Sequence, residues 1–96
     1  MGRYLVMWKA DESKIPVDPQ ERKAGWLGAI EMTKQEMKDG LTQDWGVFLG
    51  QTKGFSISEG TEADVINSTL KYIPYFRFKV YPLASIDKLE EIIKAM

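Results

Sequence analysis

The sequence predicts an α+β domain, with four antiparallel strands, two helices on one side of them and a further helix at the C-terminal end. Three observations carry this reading. Strand-like and helix-like stretches follow in the order strand, helix, strand, strand, helix, strand. The stretch 75–83 alternates Tyr75, Arg77, Lys79 and Tyr81 with Phe76, Phe78 and Val80 in period two, the spacing of a strand. Asp18-Pro19-Gln20-Glu21 and Thr61 to Asp64 both have the residue types that start a helix.

In chain order, residues 3–10 form a nearly continuous apolar run and read as a central strand covered on both faces. Tyr4, Val6 and Trp8 point one way and Leu5 and Met7 the other; the pattern leaves open which set faces the helices. From Asp18 to about Asp39, Trp26, Ala29, Ile30, Thr33 and Met37 recur at helical spacing, and Gly40 is placed to end the helix. Lys23, Glu31, Lys34, Glu36 and Lys38 are assigned to its wet face. Gly25 and Gly28 weaken a helix interior, so close packing or a local irregularity is expected there. Residues 44–50 and 55–59 alternate as the arms of a hairpin around Gln51-Thr52-Lys53-Gly54. Phe55 and Ile57 are expected to face the helices, leaving Ser56 and Ser58 on the opposite side. The second helix takes Val65, Ile66, Leu70 and Ile73 as its buried stripe and stops at Pro74. The last strand then runs from Tyr75 to a close at Pro82. Ser85 caps a final helix striped by Ile86, Leu89, Ile92, Ile93 and Met96.

This is the ferredoxin-like split βαββαβ order with an added C-terminal helix, in one domain over residues 1–96. Right-handed crossovers place both main helices on one side of the sheet. The other side is left bare, with Tyr75, Arg77, Lys79 and Tyr81 on it. An apolar, aromatic face of that extent marks an interface, and a second copy related by a two-fold axis is the expected partner.

The segment Leu70-Lys71-Tyr72-Ile73-Pro74-Tyr75-Phe76-Arg77-Phe78-Lys79-Val80-Tyr81-Pro82-Leu83 resembles the end of muconolactone isomerase-like proteins, where a helix also runs through a hydrophobic-Pro step into the last strand. The chain as a whole is similar to small members of the dimeric α+β barrel superfamily. That resemblance implies a homodimer whose two sheets pair through their open faces and enclose a cavity. It implies no activity, because the histidines on which related members rely are absent here.

Composition narrows the chemistry. Thirteen basic and fourteen acidic residues give a net charge of −1, which does not suit the electrostatic attraction that nucleic acid or an anionic membrane requires. Without cysteine or histidine there is no disulfide, no thiolate nucleophile and no imidazole base or ligand. The N-terminal run shows no cleavage signal and no apolar stretch reaches the length of a membrane span, so a cytoplasmic protein is expected. Gly50 to Gly54 does not match a phosphate loop and Gly25 to Gly28 does not follow a strand, so no cofactor is expected.

Candidate ligand-binding residues are therefore Tyr75, Arg77, Lys79, Tyr81, Ser56, Ser58 and Trp8. Arg77 and Lys79 between two phenols could hold a carboxylate and stabilise developing negative charge. The alternative is that their long side chains reach the rim or pair with acids. Glu59, Glu62 and Asp64 could hold a cation, but acids in a first helical turn are explained by capping and the dipole, and no metal is expected. The function reading is a small-molecule enzyme or binding protein for a compact anionic or aromatic ligand, with the cavity between paired sheets. The alternative is a non-catalytic oligomeric module.

Overall fold

The computed structural model describes residues 2–96. Its elements are β1 (Gly2–Ala10), α1 (Pro19–Lys38), β2 (Thr42–Val47), β3 (Lys53–Gly60), α2 (Glu62–Leu70), β4 (Phe76–Leu83) and α3 (Ile86–Lys94), with a short 3₁₀ turn at Glu12–Lys14. The strands form one antiparallel sheet in the order β2-β3-β1-β4. The α+β reading therefore holds, with α1 and α2 on one face of the sheet and α3 beyond its last strand. No helix among the described residues is long and apolar enough to cross a membrane.

Helix starts are set by local chemistry. Asp18 Oδ2 accepts the Glu21 N–H at 3.0 Å, with Pro19 in the first turn. Thr61 and Asp64 form a reciprocal capping box at α2, and Ser85 Oγ accepts the Lys88 N–H at 3.0 Å at α3. The two hydrogen bonds from the Thr61 backbone and hydroxyl hold the Asp64 carboxyl below its ordinary pKa. Gly40, at φ +88°, ends the α1 segment in the left-handed region that glycine adopts without a Cβ clash.

Register decides the faces. Trp8 stands opposite Gly54 on β3 and Phe78 on β4, while Val6 stands opposite Ser56 and Val80. Val6, Trp8 and Ala10 are buried on the helix side, so Leu5 and Met7 face away. The expectation for the hairpin is overturned. Ser56 and Ser58 share the helix side with Val6 and Trp8, and Phe55 and Ile57 lie on the open face. The reason is steric. A Cβ at Gly54 would collide with the Gly46 carbonyl oxygen and approach Trp8 Cζ2 to 2.7 Å, so the indole can lie flat only where β3 has no side chain. With Gly54 beneath Trp8, period two carries the serines inward.

Other expectations are corrected in detail. β2 begins at Thr42 and ends at Val47, because Gly50 at φ +76° closes the hairpin and Phe48 N–H bonds the Lys53 carbonyl at 2.9 Å. An irregularity between Thr42 and Asp44 brings both Thr42 and Trp45 to the helix side. β4 starts at Phe76 and includes Pro82, which an edge strand tolerates. Gly25 and Gly28 bring neither close packing nor a break, since open space surrounds both and α1 is continuous. On α2 only Val65 of the expected stripe is buried; Ile66, Leu70 and Ile73 point outward.

These glycines generate a paired prediction. Gly54→Ala should lower stability by about 1–3 kcal/mol through overpacking against Trp8. Gly28→Ala, in an open helix position, should instead raise it by up to about 1 kcal/mol. Urea unfolding midpoints read both, and equal effects at the two sites would contradict the assigned face of Trp8.

Candidate functional site

The gap between the sheet and the two helices is not filled by side chains. It forms a cavity of about 470 Å³, lined from the sheet by Val6, Trp8, Trp45, Ser56, Ser58, Phe76 and Phe78, from α1 by Trp26, Ala29, Ile30, Thr33 and Glu36, and from α2 by Val65, Ser68 and Thr69, with Tyr72 just beyond. A volume of that size suits a compact organic molecule. Its walls are built by aromatic packing: Trp8 and Trp45 stack with centroids 5.3 Å apart and planes 11° apart. Phe76 meets Trp8, Trp26 and Tyr72 edge to face at 5.9, 5.7 and 5.9 Å.

Into this apolar wall the chain places one polar cluster. Glu36 on α1 is only 6% exposed. Its Oε1 accepts the Tyr72 hydroxyl proton at 2.6 Å. Thr33 Oγ1 lies 3.1 Å from the same phenol oxygen and 3.0 Å from the Ala29 carbonyl. Tyr72 has one proton and gives it to Glu36, so Thr33 donates in its contact with the phenol and shares that proton with Ala29. Glu36 Oε2 has no hydrogen-bond partner, and its nearest cation is Lys71 Nζ at 4.0 Å, beyond hydrogen-bond range. The buried Trp8 Nε1–H also has no acceptor. Burial, and then the hydrogen bond to Glu36, push the Tyr72 phenol above its ordinary pKa.

The sequence-derived site residues do not form one site. Trp8, Ser56 and Ser58 line the cavity on the helix side. Arg77, Lys79 and Tyr81 lie on the open face, opposite Lys9, Met7 and Leu5 respectively. Arg77 is turned to the strand end, where its Nη2 meets Asp11 Oδ2 at 3.3 Å. Asp11 is held below its ordinary pKa, chiefly by the Ser13 hydroxyl and with help from Arg77. Tyr75 belongs to neither group. It precedes β4 and borders a separate hollow of about 410 Å³ beside the N-terminal part of α1, with Ile15, Pro16 and Lys71. Among the acids, Glu59 sits opposite Arg3 on β1, and Asp64 is engaged with Thr61.

Glu36, Thr33 and Tyr72 form a cluster that the sequence pattern does not single out, and Glu36 is buried rather than on the wet face to which the pattern assigns it. A signal exists. Ala29, Thr33 and Glu36 are spaced by four and three, which puts the acid on the same helical stripe as the buried residues.

The cluster makes an alkaline prediction. An acid whose folded pKa lies above its unfolded value contributes stability that is complete below the unfolded value, here 10.0, and that is lost as pH rises through the folded value. Stability should therefore fall as pH rises above 10.0, with a shallower fall in Tyr72→Phe. Urea melts across that range measure the slope. At neutral pH the same substitution, by leaving Glu36 without its donor, should cost about 1–3 kcal/mol. No protein-family model and no curated protein matches this chain.

Proposed function

We propose that this chain is a small-molecule binding protein, acting in proton-transfer chemistry, whose ligand chamber is the cavity between the sheet and the helices. The observation that carries the reading is the Glu36–Tyr72–Thr33 cluster, a hydrogen-bonded carboxylate and phenol in the wall of a largely apolar, aromatic cavity that Ser56, Ser58, Ser68 and Thr69 also line. A buried carboxylate is costly to keep, so its retention there favours a task over packing alone. Glu36 is the candidate proton acceptor and Tyr72 the group that positions it; Trp8 and Trp45 offer a flat stacking wall. The ligand class that fits is a compact planar molecule bearing a hydroxyl or comparable proton-bearing group to meet Glu36.

The strand order and the one-sided helices agree with a ferredoxin-like unit of the dimeric α+β barrel kind. We further propose that two copies associate through the open sheet faces, over Leu5, Met7, Phe55 and Ile57. This places the ligand on the helix side of each sheet and gives the open face to association, so Arg77, Lys79 and Tyr81 belong to the interface margin.

The three tryptophans all border the cavity, so their indole N–H resonances report occupancy. Titration with 1-naphthol should shift them saturably, naphthalene should bind at least tenfold more weakly, and Glu36→Gln should narrow that difference. Shifts at Arg77 Nε and Tyr81 without any at the indoles would move the site to the open face and overturn the chamber. A second reading, a non-catalytic oligomeric module, is favoured by the apolar open face, on which Leu5, Met7, Phe55 and Ile57 are half-buried. An unresponsive set of indoles across planar phenols and acids, in a protein that still dimerises, would establish it instead.

A further inference from the structure

The chain ends in a helix that its own fold does not use. Ile86, Leu89 and Ile93 recur at helical spacing along one side of α3, and they are 82%, 55% and 56% exposed. No α3 residue is buried. A nine-residue helix is too short to persist alone in water, where about 12–15 residues are already marginal. Its apolar side needs a surface to pack on.

Two dimensions of the chain say how much surface is uncovered. The chain exposes 7219 Å² at a mass of 11.0 kDa, whereas a compact monomer of that mass exposes about 5,600 Å². Its radius of gyration is 15.7 Å, where about 12.5 Å is expected for a compact chain of this length, and it extends 58 Å along its longest axis. The excess of about 1,600 Å² is roughly twice what one partner buries in an interface of standard size. An interface of standard size over the open sheet face would account for about half of it. α3, none of whose residues is buried, exposes part of the rest.

We propose that α3 is an exchange arm: in the homodimer each α3 packs on the other subunit, against the exposed second half of β4. That strand is the edge of the sheet, and Val80, Tyr81 and Leu83 on it are exposed on both its faces, so it is the part of the sheet its own helices leave least covered. Only Ala84 and Ser85 separate β4 from α3, and the cap at Ser85 is extended, with φ −74° and ψ 162°. That connection leaves α3 clear of its own sheet. Two different patches of one chain, the α3 stripe and the β4 margin, are each matched in a two-fold pair by the other copy's counterpart, and reciprocal exchange closes the assembly at two chains. This inference rests on the proposed dimer and adds which segment crosses it.

The absence of cysteine makes the test clean, because one introduced cysteine is the only attachment point. A nitroxide on Lys94→Cys in unlabelled chain is mixed with ¹⁵N-labelled wild-type chain, and the mass is read by sedimentation. A dimer in which the amides of Val80 to Leu83 in the ¹⁵N chain are broadened supports the exchange. Leu89→Asp with Ile93→Asp should then weaken association at least tenfold. A dimer without that broadening overturns the exchange and leaves the dimer standing. Broadening seen only when nitroxide and ¹⁵N share a chain, diluted in unlabelled protein, places α3 near its own strand and not its partner's, and overturns the exchange too. A single particle of 11.0 kDa overturns the exchange and the dimer together.

Discussion

The fit of Trp8 over Gly54 sets the arrangement of everything else. The indole lies on the helix side of β1, stacks on Trp45 from β2 and meets Phe76 of β4 edge to face. It can do so because β3 offers it a residue without a side chain. One contact thus fixes the parity of all four strands. In a sheet of period two, a slip of one residue would exchange the two faces, sending Phe55 and Ile57 inward and the serines out. The cavity, its polar cluster and the bare face are all consequences of that register.

Much of this was legible. The element order, the caps at Asp18, Thr61 and Ser85 and the alternation of the last strand each rest on local chemistry, and each is found in the structure. What could not be read locally was which face of β3 and of α2 turns inward. Hydrophobicity favours Phe55, Ile57, Ile66 and Leu70 for the core, and in a chain that buried all its apolar surface that choice would be right. Here the inward faces hold Ser56, Ser58, Ser68 and Thr69, because they border a cavity rather than a packed core. Glu36 was missed for the same reason. An acid on a helix reads as solvated unless a distant partner is known, and its partner Tyr72 lies 36 residues away.

The inversion is informative in itself. β3 turns Ser56 and Ser58 toward the helices and Phe55 and Ile57 away from them, so this strand adds little apolar packing to the space between sheet and helices. Among the described residues, the buried apolar core is Val6, Trp8, Ala10 and Val65. Burial of apolar surface is the dominant favourable contribution to folding, at about 25 cal/mol per Å², so a chain with so small an internal core depends on what covers its outside. The cavity and the open face are linked in this way. The space taken up by the cavity is surface lost from the core, and the proposed association would supply it again at the open face.

The same reasoning separates the two candidate surfaces chemically. Of the open-face cations, Arg3, Lys9, Lys53 and Arg77 lie toward the ends of their strands and Lys79 stands opposite Met7; Arg77 is already directed at Asp11, where an exposed ion pair contributes little. The centre of that face is Leu5, Met7, Phe55 and Ile57, which suits protein contact rather than a polar ligand. On the helix side the order is reversed, with aromatic walls and a single buried carboxylate whose second oxygen has no hydrogen-bond donor. A low-dielectric surround strengthens any hydrogen bond made there and raises the cost of leaving one unmade. Under the proposed function, a ligand that brings one donor to Glu36 Oε2 would gain more in this cavity than on the surface, and one without a donor would leave that oxygen buried and unpaired while Oε1 keeps the Tyr72 hydroxyl.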